Sequence, residues 1–556
     1  MVDRKKILIV GGVAGGASCA ARARRLSEEA EIIVFERGGY VSFANCGLPY
    51  YIGDIISDEE QMFLATPDLF KERFNIDVRV ETEVVHIDCK IQEVEVKNLK
   101  TGEIYRENYD ALVLSPGAEP IRPPLPGIDL PGIFTLRTVP DGRQIRNWIT
   151  EKGVKHAVVV GGGFIGLEMT ENLVKRGISV TIVEMLPQVL PVLDPEMARP
   201  LNECLKEHGV TLYLENPVDG FYQQTDGAIS VSLKSGDTCN ADMVILAIGV
   251  RPETTLAKKA GLKIGERGGI SVDDQMRTSD EHIWAVGDAV ESRDYVTGES
   301  VLIPLAGPAN RQGRIAADVI FGRNARFRGI QGTAICGIFD MTVALTGVSE
   351  KTLSRVSAES RLKNYEKVYL HPMHHAGYYP GAEPIYLKLI FSTEDGSILG
   401  AQAVGKKGVG KRIDVISLAL QRNSTVFDLE EAEVCYSPQF GSAKDPVNFV
   451  GMIAANTLRG DMSIAHWNHI VESDAFILDV RDVEEFEEDH VEGALNIPLP
   501  ELRQRMDELS RDKEIRTYCS AGQRSYYASR ILRHNGFNVQ NLSGGLKTYR
   551  AGKDSV

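Results

Sequence analysis

Apolar positions along the chain fall into short runs separated by small or polar residues. Near the start, "KKILIV" reads as a buried strand, "GGVAGG" as a turn, "ASCAARARRLSEEA" as a helix and "EIIVFER" as a second strand. That order predicts a βαβ unit with short loops. The order returns near residue 156 as "HAVVV", "GGGFIG", "LEMTENLVKRG" and "ISVTIVE". Two such units predict two nucleotide-binding domains of related fold. The stretch 119–132, "EPIRPPLPGIDLPG", is rich in Pro and Gly and reads as connecting loop. From about 325 to 455, strand patterns ("PIYLKLIFS", "ILGAQAV") accompany a helix ("KRIDVISLALQRN"), and 456–470 reads as a linker. After it, "AFILDVR", "EIRTYCS", "ASRILRHNG" and "VQNLSGG" predict a smaller, separate α/β domain. At 556 residues the chain exceeds a single core, so three or four domains are expected.

Composition narrows the function. A net charge of −15 argues against general nucleic-acid or anionic-membrane binding. No apolar run has membrane-spanning length, and the apolar part of "MVDRKKILIVGG" is too short for a signal peptide, so a cytoplasmic protein is expected. The eight cysteines lack metal-ligand spacing and are expected as free thiols in a reducing compartment. Cys19, Cys89, Cys204, Cys239, Cys336 and Cys435 are expected to be packing residues. "HPMHH", at 371–375, has no partner cluster, and Pro372 breaks a helix face, so no metal is expected. The acidic run "DVEEFEEDH" reads as a solvated helix face.

Gly161, Gly163 and Gly166 match the G-x-G-x-x-G fingerprint between a strand and a helix. The glycines permit a tight turn and close approach of a pyrophosphate to the helix N-terminus. The next strand ends at Glu184, a carboxylate suited to the ribose hydroxyls of NADH and repulsive to a 2′-phosphate. The first turn departs from the pattern, because Val13 replaces the middle glycine, yet Gly11, Gly12, Gly15 and Gly16 keep it small and Glu36 supplies the ribose carboxylate.

Three later segments follow in order: "ALVLSPGAEP", "MVILAIGVRPET" and "HIWAVGDAV", the last placing Asp288 where it can accept hydrogen bonds from a sugar-like chain. Together the set resembles the flavin-dependent pyridine nucleotide–disulfide oxidoreductases over about residues 5–450. The resemblance implies FAD bound by Gly11, Gly12, Ala14, Gly16, Glu36, Arg37, Ser115, Gly117, Gly287 and Asp288. It implies NADH bound by Gly161, Gly163, Gly166, Glu184 and Gly249. The implied fold class is α/β, with two Rossmann-like nucleotide-binding domains and an α+β dimerisation domain, followed by the smaller C-terminal α/β domain. The expected bounds are 1–115 and 246–324 for FAD, 116–245 for NAD, 325–455 for dimerisation and 463–556 for the last domain.

Most members of that family reduce disulfides with a cysteine pair, but "VSFANCGLPYY" holds Cys46 alone. "SFANCGLPYY" resembles the signature of the coenzyme A–disulfide reductase branch, in which the one cysteine makes a mixed disulfide with coenzyme A. Peroxidase relatives carry a histidine in the first glycine turn, where this chain has Ala14. "YSPQFGSAKDPVN" resembles the branch's C-terminal motif, implying that Tyr436 reaches the partner chain's active site in a homodimer, with Tyr378 of "HAGYYPGA" as a second phenol beside Tyr379. The resemblance also carries coenzyme A contacts to Ser18, Arg22, Arg25, Ser42 and Asn45, with Asn310, Lys444, Lys71 and Arg73 as further candidates. A solvated helix face is the other reading of Arg22, Arg24 and Arg25. A free thiol has a pKa of ~8.5, and lowering it by about two units takes about 2.7 kcal/mol of differential stabilisation. A helix N-terminus and a contact with flavin are the expected sources.

In "YCSAGQRS", 518–525, a strand leads into a six-residue loop from Cys519 to Arg524, whose N–H groups form an anion cradle at a helix start. With "LDVRDVEEFEEDHVEGALNIPL" it resembles the rhodanese signature over about 463–553. That implies a sulfur carrier at Cys519, with Arg524 and Ser525 shaping the loop; a related phosphatase loop is one residue longer. The expected activity is NADH-dependent reduction of coenzyme A persulfide, coenzyme A disulfide or polysulfide, coupled to sulfur transfer. The alternatives are an NADH oxidase or peroxidase using Cys46 as a sulfenic acid, and a sulfur relay to a partner protein.

Overall fold

The computed structural model describes residues 4–357, 359–469 and 474–552. They fall into two compact units: one runs to Pro187 and resumes over Gly209–Ile330, and the other combines Gln188–His208 with the chain from Gln331 onward.

The first unit holds two five-stranded parallel sheets. In one, Ile283–Ala285, Ala111–Leu114, β1 (Lys6–Val10), β2 (Glu31–Phe35) and Asp77–Arg79 lie side by side. Ile7, Leu8 and Ile9 of β1 are fully buried, as expected for a sheet covered on both faces. Helix α1 (Ala14–Leu26) connects β1 to β2, and α2 (Leu48–Ile52) follows the Cys46 loop. The other sheet has the order Thr211–Tyr213, Ser179–Val183, His156–Val160, Met243–Leu246, Ile133–Phe134, and α3 (Phe164–Lys175) opens after its central strand. The chain then enters the second unit for α4 (Pro195–Glu207) before returning. Ile283–Ala285 completes the first sheet late in the sequence, and α5 (Ala306–Ile320) packs on α1. There a Cβ on Gly313 would fall onto the Gly15 carbonyl, so the glycines set how closely the two helices approach.

The second unit has an antiparallel sheet ordered Ala334–Ile338, Met341–Gly347, Ile398–Gly405, Ile385–Ser392 and β3 (Tyr365–Leu370). Its other sheet is parallel, in the order Ile464–Ala465, Val539–Leu542, Ile515–Tyr518, Phe476–Asp479, Leu495–Asn496. Three short helices matter below: α6 (Val483–Glu488), α7 (Gln523–His534) and α8 (Gly545–Gly552).

One expectation needs correction. The stretch expected as a linker is largely structured: helix Pro446–Leu458 enters it, and Ile464–Ala465 pairs with Asn541–Leu542. Residue 470 of that stretch lies outside the described residues. The segment Gln188–His208, inside the range expected for NAD, groups with the second unit, where Asp194 and Glu196 bind the buried Lys388 ammonium at 2.7 and 2.6 Å.

Candidate active site

Cys46 sits in a 3-10 turn, Asn45–Gly47, that runs directly into α2, whose first turn accepts Pro49 without loss of a hydrogen bond. Its loop is tied to the first glycine turn. The Ser42 N–H donates to the Gly12 carbonyl at 2.9 Å while Ser42 holds a left-handed φ of +49°, uncommon for serine. Cys46 is exposed, and all eight cysteines are free.

The surroundings oppose ionisation of this thiol. Partial desolvation, then the Glu168 and Asp288 carboxylates, push its pKa up, and Arg137 pulls it down. The expected lowering by a helix N-terminus is therefore corrected: α2 has five residues, too few for a strong dipole. Arg137 is a residue the sequence reading missed. The Asn45 amide, turned to suit, donates to the Arg137 carbonyl at 3.0 Å and accepts from its Nη1 at 2.9 Å. Arg137 Nη2 lies 3.4 Å from Asp288 Oδ2, and a Cβ on Gly117 would strike the same guanidinium. Glu168, on α3, was also missed. Burial and the neighbouring Glu171 push its carboxyl up to about 7, against a hydrogen bond from Tyr50. The available signal was a carboxylate two residues beyond Gly166.

Both glycine turns have the geometry of dinucleotide cradles. Gly11 has φ +95°, and a Cβ on Gly16 would land on the Gly11 carbonyl oxygen. Gly161, at +105°, stands in the same relation to Gly166. Helices α1 and α3 lack side-chain caps, which leaves their first N–H groups to an anion; Ala14 begins α1, and Gly163 is the N-cap of α3. Glu36 accepts from Gly12 N at 2.8 Å and Gly38 N at 2.7 Å, and burial pushes its carboxyl up. Glu184 accepts from Gly162 N at 2.7 Å. Gly249 has φ +109°, Ser115 N donates to Val10 O and Gly287 N to Gln312 Oε1, while Arg37 lies 4.0 Å from Glu119. Free first-turn donors, turns with positions that only glycine fits, and a carboxylate at the end of each second strand fit two dinucleotides.

The expected coenzyme A contacts are only partly gathered. Ser18 donates to Asn310 across α1 and α5, and Arg25 is exposed nearby on α1. Arg22 is bound to Asp318 at 2.6 Å and Arg24 is buried on main-chain carbonyls, so a solvated face describes only Arg25. Lys71 and Arg73 are exposed on helix Pro67–Phe74, where Lys71 donates to Asn75. Lys444 is exposed in the second unit. There the Tyr378 and Tyr436 hydroxyls meet at 3.2 Å, both exposed, and the bond from Tyr436 pushes the Tyr378 phenol up. Tyr379 turns instead to His375.

Cys519 closes strand Ile515–Tyr518 and is 2% exposed. Gly522 N donates to its sulfur at 3.1 Å and Ser525 Oγ at 3.6 Å. Arg524 turns outward to Glu485, at 2.5 and 2.8 Å, and to Asp482 at 3.3 Å. The acidic run is therefore more than a solvated face: Glu485 of α6 anchors the loop arginine, which holds its carboxyl below the usual range. Cys435, expected to pack, is exposed in an open loop. Cys19, Cys204, Cys239 and Cys336 are buried and Cys89 is intermediate, with burial pushing Cys19 and Cys204 up to about 12.

Of the histidines, His371 bonds Thr548 and His374 bonds Glu383 main chain. Among the described residues, the one carboxylate trio close enough for a metal, Asp194, Glu196 and Glu350, surrounds Lys388. Among them, too, no helix is long and apolar enough to cross a membrane.

Comparison with known proteins places these observations. Residues 465–551 match the rhodanese-like domain, and 333–445 match the pyridine nucleotide-disulphide oxidoreductase dimerisation domain. An NADH oxidase of Methanocaldococcus jannaschii is 37% identical over 82% of this chain and 99% of its own. A coenzyme A disulfide reductase of Staphylococcus haemolyticus is 36% identical over 80% of this chain and 98% of its own. The crystal structure of reduced Bacillus anthracis CoADR-RHD superposes with a TM-score of 0.96 at 49% identity, covering 99% of this chain and 98% of that one. A NAD-dependent persulfide reductase from A. fulgidus gives 0.90 at 39% identity, covering 98% and 100%. Residues 5–313, more than half of the chain, match the pyridine nucleotide-disulphide oxidoreductase model, so the chain belongs to that family.

Proposed function

We propose that the chain uses NADH and FAD to reduce the S–S bond of coenzyme A persulfide or coenzyme A disulfide, and that its rhodanese domain carries sulfane sulfur on Cys519. Polysulfide is a further substrate of the same chemistry. The observation that carries the reading is Cys46: a free, exposed sulfur, without a second cysteine in its loop, in the unit that holds two dinucleotide cradles. The chain is 36% identical to a coenzyme A disulfide reductase, and it superposes over nearly its whole length on a persulfide reductase structure. We assign 1–115 and 246–324 to FAD, 116–245 to NAD, 325–455 to dimerisation and 463–556 to sulfur transfer.

FAD, when bound, passes the electron pair of NADH on to a sulfur–sulfur bond. Cys46 thiolate attacks the coenzyme A sulfur of the substrate, forming a mixed disulfide and releasing hydrosulfide from a persulfide or coenzyme A thiolate from a disulfide. Reduction of that mixed disulfide returns Cys46 and frees coenzyme A. Arg137 is the cation that steadies the thiolate; Glu168, with a pKa of about 7, holds a proton for the departing sulfur. The Ser18–Asn310 pair and Arg25 suit the pantetheine and phosphate ends of coenzyme A. In a homodimer, the Tyr378–Tyr436 pair of one chain would serve Cys46 of the other. Eight free thiols suit the cytoplasm.

The NADH oxidase relative keeps oxygen reduction through a Cys46 sulfenic acid as the second reading, and Ala14 is the residue that disfavours it. Stopped-flow on Cys46→Ser tests the scheme. NADH should still bleach the flavin while sulfide release from coenzyme A persulfide stops. Sulfide at the wild-type rate would overturn it. Cys519→Ser should abolish thiosulfate:cyanide transfer and spare coenzyme A disulfide reduction.

A further inference from the structure

The loop that carries Cys519 is held by the last helix of its own domain, and that helix is held by the dimerisation domain. The Cys519 and Ser520 carbonyls accept from Leu546 N at 2.9 Å and Lys547 N at 3.1 Å, at the start of α8. In a trans peptide the N–H opposes the carbonyl. Fixing those two carbonyls on α8 therefore turns the Ser520 and Ala521 N–H groups the other way. The position of α8 thus sets the cradle's donors.

What sets α8 lies on β3. Tyr369 N donates to Ser543 Oγ at 3.1 Å, so this edge strand satisfies its outward N–H on the rhodanese domain. Next come Gly544 and Gly545, both with positive φ. A Cβ on Gly544 would strike the Tyr369 side chain, and one on Gly545 would strike the Cys519 carbonyl oxygen. The corner therefore fills the space between Tyr369 and the sulfur loop. Tyr369 is itself anchored, its hydroxyl donating to Glu196 Oε1 at 2.7 Å, and Glu196 accepts from buried Lys388. Two residues on, His371 Nε2 meets Thr548 Oγ1 of α8 at 2.8 Å, and α8 also packs on α4.

We infer that Tyr369 and His371, on the dimerisation domain, are positioning residues for the Cys519 cradle, so that sulfur transfer depends on the docking of the two domains. This rests on the rhodanese reading of Cys519. A displaced α8 lets the Cys519 and Ser520 peptides rotate, and the cradle then binds the anionic end of a sulfur donor less well.

The test uses the full-length flavoprotein with thiosulfate as donor and cyanide as acceptor. Tyr369→Ala should raise KM for thiosulfate about tenfold. Tyr369→Phe, which keeps the ring edge-on to His466 of the rhodanese domain, should restore it, and flavin reduction by NADH should be unchanged in both. Thr548→Val cuts the His371 contact from the other side and should raise KM in the same direction. It serves as the test if Tyr369→Ala does not fold. A merely structural role would lower kcat through lost active protein and leave KM alone. Unchanged KM in folded Tyr369→Ala, or in Thr548→Val where that variant replaces it, overturns the inference. Absence of any Cys519-dependent thiocyanate from the unmutated protein would instead remove the rhodanese reading, and the inference with it.

Discussion

At Cys46, two carboxylates and partial desolvation oppose the thiolate, and one arginine favours it. Opposed charges make the balance adjustable by single substitutions. Above pH ~7 Glu168 is ionised, so Glu168→Gln removes a charge that raises the thiol. We expect Cys46 in the holoenzyme to react several-fold faster with iodoacetamide near neutral pH, followed by peptide mass. Arg137→Met should slow it. Slower alkylation of Glu168→Gln would contradict this electrostatic account. The glycine turns could be read from sequence because contiguous spacing encodes their backbone: Gly11 and Gly161 do hold positive φ. Arg137 and Glu485 could not, because Arg137 meets Asn45 and Asp288, and Glu485 meets Arg524, only through the fold.

Among the elements, α4 shows how a buried charge can decide where a helix belongs. Lys388 has no exposed side-chain surface, and Asp194, Glu196 and Glu350 lie 2.5–2.7 Å from its ammonium. Lys388 and Lys367 hold the Glu350 carboxyl down at about 2 despite its burial. Lys388→Met would strand the carboxylates and should destabilise the second unit by ~3–5 kcal/mol in urea unfolding. An unchanged midpoint would show that the cluster does not hold α4. His371 adds a pH dependence. Burial, then the nearby Lys547, lower its pKa to about 3, whereas an unfolded histidine takes its proton near 6.5. Stability from this group is thus full above pH ~6.5 and falls by up to ~1.4 kcal/mol per pH unit below it. Between about pH 6.5 and 5, His371→Gln should flatten the slope of urea midpoint against pH; an identical slope would contradict the assignment. The longer strands and helices were visible as periodic runs, among them Ile385–Ser392 and Val409–Gln421. The two-residue strand Ile464–Ala465 was not, since two residues carry no period.

Across the whole molecule, two dinucleotide folds and a rhodanese-like domain share one polypeptide, and the segment order that revealed the family is the order in which strands join the sheets. Ile283–Ala285 returns beside Ala111–Leu114, so one domain is built from separated stretches, as the ordered motifs implied. The placement of the sulfurs was less legible. Whether a thiol is exposed, like Cys435, or buried, like Cys519, depends on packing between distant segments. The central claim is that Cys46 takes its redox partner from coenzyme A. The direct measurement is peptide-mapped mass of the oxidised holoenzyme after incubation with coenzyme A disulfide and no NADH. The account expects a coenzyme A adduct on the peptide bearing Cys46, removed by dithiothreitol. An unmodified Cys46, or one bridged to another cysteine of the chain, would contradict it.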